Sequence, residues 1–339
     1  MDSSINSSLD KLLNHQNLSK QEAESAMSEI LNGKFSDIKL AVWLTALRMK
    51  GETSLEVAAC ASVMMKHAER IHAVDNNAVD IVGTGGDSMH TINISTAAAI
   101  TAAGAGLTVA KHGNKAVSSK SGSADVLTAL GLNINISPKR MELCLNKIGI
   151  AFLFAPLLHP AMKFAMPVRK QLGIRTIFNI LGPICNPAGI KRAVIGVYEP
   201  RLCRLIAEAA RDLGYKRLIV VYGNDGLDEI STTTTTKVCE ILNSEILEYE
   251  FDPQKYGIPR AVLKDIQGKG PEYNASIIKD VFAGKIGGPI KDIIVLNTAA
   301  VLIAGDKTND WQEALSIAEK TINNGNAQEK LQQIIEFTQ

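Results

Sequence analysis

Apolar positions in the first seventy residues recur at helical spacing. Over residues 38–50, Leu40, Trp43, Leu44 and Leu47 share one face, with Ser36 placed to cap the helix and Gly51 to end it. Gly33 stands at another helix end. Ser19-x-x-Glu22 and Thr53-x-x-Glu56 have the capping-box form, in which hydroxyl and carboxylate each satisfy a free backbone N–H of the first turn. No alternating pattern interrupts this stretch, so residues 1–72 read as a small all-helical module whose apolar face is core or interface.

From residue 79 the period changes. A β-branched run, 79–82, breaks into glycines, an alanine-rich helix starts at Ser95-Thr96, and a second apolar run follows at 107–110. That order is a βαβ unit. A helix over 124–130, a strand over 133–136, a helix over 138–148 and a strand over 150–154 continue the pattern. Prolines and glycines mark 166–183 as a shaped crossover, not a regular repeat. Strands at 192–197 and 217–222 flank a helix at 201–213, and 237–251 reads as a hairpin. Helices over 274–283, 290–304, 311–323 and 327–337 close the chain. The fold class is α/β: a small all-helical N-terminal domain, then a larger α/β domain, 73–339, with a central mostly parallel sheet. The boundary falls at 72–77.

Bulk properties narrow the field. The 339 residues suggest about two domains. A net charge of +1 offers no broad basic field, so neither nucleic acid nor a membrane surface is the expected partner. Cys60, Cys144, Cys185, Cys203 and Cys239 are odd in number, far apart and without a Cys-x-x-Cys, which fits reduced thiols better than disulfides or zinc. The sequence begins without a secretory leader and holds no apolar run of membrane-spanning length, so a soluble cytoplasmic protein is expected.

Candidate chemistry gathers after the strands. Gly83, Gly85 and Gly86 let backbone approach a ligand closely and turn amide N–H groups inward, which suits a phosphate or pyrophosphate beside a helix N-terminus. A dinucleotide loop would need glycine where Ser88 stands, and no Gly-Lys-Ser/Thr triplet closes the loop as a Walker motif would. Lys111-His112-Gly113-Asn114 and Ser118-Ser119-Lys120-Ser121-Gly122-Ser123 follow the next strand, where open α/β sheets bind ligands. Asp225, Asp228 and Glu229 follow a later strand; adjacent acidic oxygens hold Mg²⁺, and Mg²⁺ holds pyrophosphate. The tract Thr232–Thr236 is β-prone and carries no assigned chemistry.

The motifs GTGGD (83–87), NIST (93–96), KHGN (111–114), SSKSGSADVL (118–127), HPAM (159–162), VRKQLGIRTIFNILGP (168–183) and DGLDE (225–229), with ALRMKGET (46–53) ahead of them, occur in this order. They resemble those of the glycosyltransferase family that contains the anthranilate phosphoribosyltransferases and the pyrimidine nucleoside phosphorylases. KHGN in place of a KHS-type motif favours the anthranilate branch. The resemblance implies a hinge between the domains with the active site in its cleft, part of 165–185 completing the helical domain, and a homodimer formed through that domain. It implies phosphoribosyl transfer from phosphoribosyl pyrophosphate to anthranilate, with Mg²⁺, in tryptophan biosynthesis. The alternatives are a pyrimidine nucleoside phosphorylase and a non-catalytic relative that binds a phosphoribosyl ligand.

Carried over position by position, the resemblance assigns phosphoribosyl pyrophosphate contacts to Gly83, Gly86, Asp87, Thr91, Asn93, Ile94, Ser95, Thr96, Lys111, His112, Gly113, Asn114, Lys115, Ala116, Val117, Ser118, Ser119 and Ser123. Metal ligands are Ser95, Asp228 and Glu229. Anthranilate contacts are Gly83, Asn114, His159 and Arg169. Departures from the family pattern are Lys115 for arginine, Leu157-Leu158 for Lys-Tyr, and Phe164 for a more polar residue. The reaction needs no covalent nucleophile, so the expected catalytic set, Lys111, Arg169 and His112, works by positioning and electrostatics, with His112 shaping the site.

Overall fold

The expected caps form. In the computed structural model, which describes residues 4–87, 89–116 and 120–339, the first four helices are α1 (Ser4–Leu13), α2 (Lys20–Leu31), α3 (Asp37–Lys50) and α4 (Ser54–Lys66). Ser19 with Glu22 and Thr53 with Glu56 close both capping boxes, and Ser36 accepts the Lys39 N–H. Gly51 ends α3 at φ +88°, a conformation glycine enters without penalty. Glu56 is fully buried, yet it also accepts the Leu18 N–H at 2.8 Å and meets Lys50 at 2.8 Å. A desolvated carboxylate is tolerated here because every side of it is paired.

The α/β region runs β1 (Asp80–Gly83), α5 (Ile94–Gly104), β2 (Val109–Gly113), α6 (Ser123–Leu130), α7 (Pro138–Ile148) and β3 (Ile150–Phe154). One turn of helix, α8 (Ala155–Leu158), leads to α9 (Met166–Leu172) and α10 (Ile177–Ile184), which return to pack against α3 and α4. Then come β4 (Arg192–Gly196), α11 (Arg201–Asp212), β5 (Arg217–Gly223), the hairpin β6 (Thr236–Leu242) and β7 (Glu245–Phe251), and helices α12 (Pro271–Phe282), α13 (Pro289–Ala304), α14 (Trp311–Asn323) and α15 (Asn326–Thr338). Asn243 and Ser244 both take positive φ at the hairpin turn, as a two-residue type I′ turn requires.

Five strands form a sheet in the order β1-β4-β5-β6-β7, parallel from β1 to β5 and antiparallel beyond; β2 and β3 pair in parallel beside it. The βαβ unit read from the sequence is present, but β1 and β2 meet at one bridge, Val79 with Val109, and not along a ladder. Asp80 and Asn186 occupy the gap. Asp80 accepts the His112 N–H at 3.2 Å and the Asn186 amide at 2.8 Å, while the same amide reaches Ala110 O at 2.7 Å. The second strand lies two residues later than its apolar run, so Lys111 and His112 are strand residues, not loop residues.

Each sheet face has its own core. Ile81, Val194, Ile219 and Val221 face α5 and α13. Ile195, Val197, Leu218 and Val220 lie on the face covered by α11, which packs in turn on α4, so that this face and the N-terminal helices share one continuous cluster. Helix α5 is buried on all sides, as its alanines allow. The strand expected at 133–136 is absent: Leu132, Ile134 and Ile136 do alternate inward, but the segment has no ladder partner, and the Asn133 N–H goes to Thr338 Oγ1. Alternation reports half-burial, which an unpaired extended segment also satisfies.

Gly83 and Gly196 are register partners at the carboxyl ends of β1 and β4. A Cβ on Gly196 would stand 1.6 Å from the Asp228 carbonyl oxygen, and one on Gly83 would stand 2.3 Å from Asp228 Oδ2. Gly196→Ala is therefore expected to lower stability in urea unfolding by about 3 kcal/mol; a wild-type midpoint would mean that the loop does not cross so closely.

Candidate active site

The order β2-β1-β4 reverses the chain's direction of travel across the sheet at β1, and the loops after β1 and β4 open at that point. Such a crevice is where open α/β sheets bind ligands. After β1 the backbone turns through Gly85 and Gly86, at φ +68° and +78°. The Gly85 N–H donates to Asp228 Oδ2 at 2.9 Å, and the Thr84 N–H to Gly196 O at 2.9 Å, tying the glycine loop to both neighbours.

Asp228 and Glu229 reach this point because the residue after them is clamped. Asn297 of α13, fully buried, accepts the Ile230 N–H at 2.9 Å and donates to the Ile230 carbonyl at 3.0 Å. Glu229 accepts the Ser95 N–H at 3.1 Å, at the N-terminus of α5. Burial first, and then the neighbouring Asp87 charge, push the Asp228 carboxyl up; burial and then Asp228 push Glu229 up, with Lys111 opposing. Both residues are only half-buried. Asp225, the third expected acid, turns away to accept the Ser231 hydroxyl at 2.6 Å, the Thr233 hydroxyl and the Leu227 N–H. It folds the threonine tract and does not join the pair. Among the described residues no three His, Cys, Asp or Glu side chains form a ready-made metal cage. A crowded pair of hard oxygens suits Mg²⁺, which keeps water and phosphate ligands besides one or two carboxylates.

Lys111 is 4% exposed, so its charge is held inside the protein and not in solvent. Its Nζ donates to Ile81 O at 2.7 Å and to Ser95 Oγ at 3.4 Å. Burial lowers its pKa, and Asp80, Glu229 and Asp228 oppose that shift. Lys111, Ser95 and Glu229 thus form one connected group. Asn93 binds Ser121 through both its oxygen and its amide, and its oxygen also accepts from Asn274 of α12 at 2.9 Å. Thr91 bridges to Gln267. The side chains of Ile94 and Thr96 point into the core, and the Ile94 N–H is already used by Ile92 O.

The loop after β2 is pinched at its base. Asp125 Oδ2 accepts the N–H groups of Ala116 and Gly122 at 2.9 and 3.0 Å. Asn114 and Lys115 are exposed, Asn114 O accepts the Ser123 hydroxyl, and a Cβ on Gly113 would stand 2.3 Å from Ser123 Oγ. Val117, Ser118 and Ser119 lie outside the described residues.

His112 and His159, both buried, lie with ring centroids 5.2 Å apart, and His112 Nδ1 lies 3.2 Å from Gly182 O. Arg169 stacks over Phe178 at 5.2 Å, and among the described residues no carboxylate pairs with it. Phe164 packs its ring over Gly33 of the helical domain. Sequence reasoning missed Arg175, whose guanidinium donates to Gly86 O and lies over Tyr198. It missed Asp80, Asn186 and Asn297 as well. Only Arg175 stood in a quoted motif.

Two family models match the chain: the helical bundle domain of a glycosyl transferase family over residues 6–68, and the a/b domain of the same family over 75–328. An anthranilate phosphoribosyltransferase of Acetivibrio thermocellus is 47% identical, with 98% of this chain and 96% of that protein covered. One from Methanocorpusculum labreanum is 48% identical over 96% and 95%. The crystal structure of the Thermus thermophilus enzyme superposes with a TM-score of 0.93 at 37% identity, covering 98% of this chain and 99% of that one. The Saccharomyces cerevisiae enzyme in complex with phosphoribosyl pyrophosphate and Mg gives 0.92 at 31%, covering 100% and 98%.

The facing imidazoles yield a pH prediction. Burial holds His112 down to about 3 and His159 to about 4, against 6.5 for a free ring. Between these values the unfolded chain binds protons that the folded one refuses, so this contribution is complete above pH 6.5 and is lost as pH falls toward 4. His159→Asn should reduce the slope of unfolding free energy in that window by about 1.4 kcal/mol per pH unit. Asp80, raised by burial to about 6, slopes the other way and cancels in the comparison. An unchanged slope would mean that the His159 ring protonates freely.

Proposed function

The chain belongs to the glycosyl transferase family that holds the anthranilate phosphoribosyltransferases, and on that premise we propose how its crevice performs their reaction. The phosphoribosyl group of phosphoribosyl pyrophosphate passes to the amine of anthranilate, giving N-(5-phosphoribosyl)anthranilate and pyrophosphate, a step of tryptophan biosynthesis. One observation carries the assignment of the site: the glycine loop, Lys111 and the Asp228–Glu229 pair converge where β1 and β4 end.

The aromatic amine is neutral at pH 7 and attacks the anomeric carbon directly. Charge must then be absorbed on the leaving diphosphate. The amides of the loop at 83–87, the N-terminus of α5 and the Lys111 ammonium are preorganised for that purpose, and losing one such donor costs about 3–4 kcal/mol in the barrier. Asp228, Glu229 and Ser95 would hold a Mg²⁺ ion, which supplies positive charge to the diphosphate. Crowding between the two half-buried carboxylates is what a cation relieves. Asn93, Thr91, Asn114 and Ser123 border the ribosyl and phosphate side. Arg169, a half-buried cation lacking an acidic partner among the described residues, matches the anthranilate carboxylate with a two-pronged grip. His112 and His159, both neutral, shape the apolar wall.

A second copy of the chain would cover α3. Ile38, Val42 and Met49 fall on its outer face, opposite the core side, at 78%, 39% and 74% exposure. The five cysteines are all free and buried, which supports a reducing, cytoplasmic setting. No helix among the described residues is long and apolar enough to cross a membrane.

Loss of anthranilate fluorescence, followed with phosphoribosyl pyrophosphate and Mg²⁺ present, tests the reaction; activity only with thymidine and phosphate would replace it. Arg169→Ala should raise KM for anthranilate about 10- to 100-fold, the worth of a charge-assisted pair, and leave KM for the sugar diphosphate nearly unchanged. Equal effects on both substrates would remove Arg169 from the carboxylate. Asp228→Asn with Glu229→Gln should shift the Mg²⁺ titration to higher concentration and lower kcat/KM roughly 100-fold; an unmoved titration would place the metal elsewhere.

A further inference from the structure

We propose that Arg175 is a positioning residue that orients the peptide between Gly86 and Asp87, and that the helical domain in turn positions Arg175. The proposal rests on the reaction assigned above and adds a residue to it.

Arg175 lies in the connector between α9 and α10, held from both sides. Gly173 closes α9 at φ +61°, and Thr176 caps α10 with its N–H bonded to Asn179 Oδ1 at 3.0 Å. The guanidinium does two things at once. It donates from Nη2 to the Gly86 carbonyl, and its Cζ lies over Tyr198, 3.8 Å from the ring centroid. Tyr198 is 7% exposed and its hydroxyl has no partner among the described residues, so the ring serves as a seat. The next residue, Glu199, pairs with Arg48 of α3 at 3.3 Å. Two arginines from the helical side thereby grip adjacent residues just beyond β4. Arg48 belongs to the motif at 46–53, which the chemistry of transfer does not otherwise use.

The consequence for the glycine loop follows from peptide geometry. In a planar trans peptide the Gly86 carbonyl and the Asp87 N–H point in opposite directions. A cation on the carbonyl therefore turns the amide away from Arg175, and that amide has no partner among the described residues. Gly86 at φ +78° offers little resistance of its own, so the loop needs an outside grip. The planar fork of arginine can stack and donate together, which an ammonium cannot.

Steady-state kinetics and calorimetry with Mg²⁺-pyrophosphate test the role. Arg175→Ala and Tyr198→Leu should each raise KM for phosphoribosyl pyrophosphate about tenfold or more, with KM for anthranilate moving less than about threefold. Arg175→Lys should not restore it, millimolar guanidinium should restore it in part, and the double variant should be no worse than Arg175→Ala. Mg²⁺-pyrophosphate should bind Arg175→Ala about tenfold more weakly than the wild type. A lowered melting temperature with unchanged KM and pyrophosphate affinity, or equal rises in both KM values, would overturn the proposal. Should the wild type fail to consume anthranilate, the assigned reaction falls while the pyrophosphate titration still reads Arg175. Absence of pyrophosphate binding by the wild type overturns both.

Discussion

The crossing of Asp228 over the paired ends of β1 and β4 sets the terms for the rest of the molecule. Two glycines stand in register because a carbonyl and a carboxylate pass where their side chains would be. That close passage brings an acidic pair within hydrogen-bonding reach of the Gly85 and Ser95 amides. It also concentrates negative charge beside a lysine that has almost no water around it. Each member compensates another: the ammonium moderates the acids, the α5 N-terminus supports Glu229, and the Asn297 clamp prevents the acids from relaxing outward. Without the glycines, none of these groups could meet.

Much of this was legible in the residues. Caps were readable because a hydroxyl just ahead of a helix finds its N–H partner within the first turn, and Ser19, Ser36 and Thr53 cap as expected. The glycine loop was readable because positive φ demands glycine at Gly85 and Gly86. What failed depends on long-range pairing. Asp225 looks identical to Asp228 in sequence, but Ser231 and Thr233, six and eight residues on, claim its oxygens. Asp80 and Asn186 are ordinary polar residues until a gap between two strands puts them together. The unpaired segment at 133–136 has the burial alternation of a strand, and only the missing neighbour distinguishes it. Asn297, in the middle of an apolar helix, was the one buried amide whose placement gave a signal that could have been followed.

The two domains are less separate than the change of pattern near residue 72 implies. One sheet face belongs to the helices of the α/β domain, and the opposite face completes the apolar cluster of the N-terminal helices. The glycine loop lies where these two bodies adjoin: it and the acidic loop come from one, and the segment bearing Arg175, which reaches Gly86, packs with the other.

That shared core has a consequence for biosynthesis. The N-terminal helices leave the ribosome first, but α10 and α11, which pack against α4, are translated well over a hundred residues later. Until some 210 residues have emerged, the nascent bundle carries an uncovered hydrophobic side, the kind of surface that chaperones hold and aggregation exploits. The part of the protein made earliest is finished late.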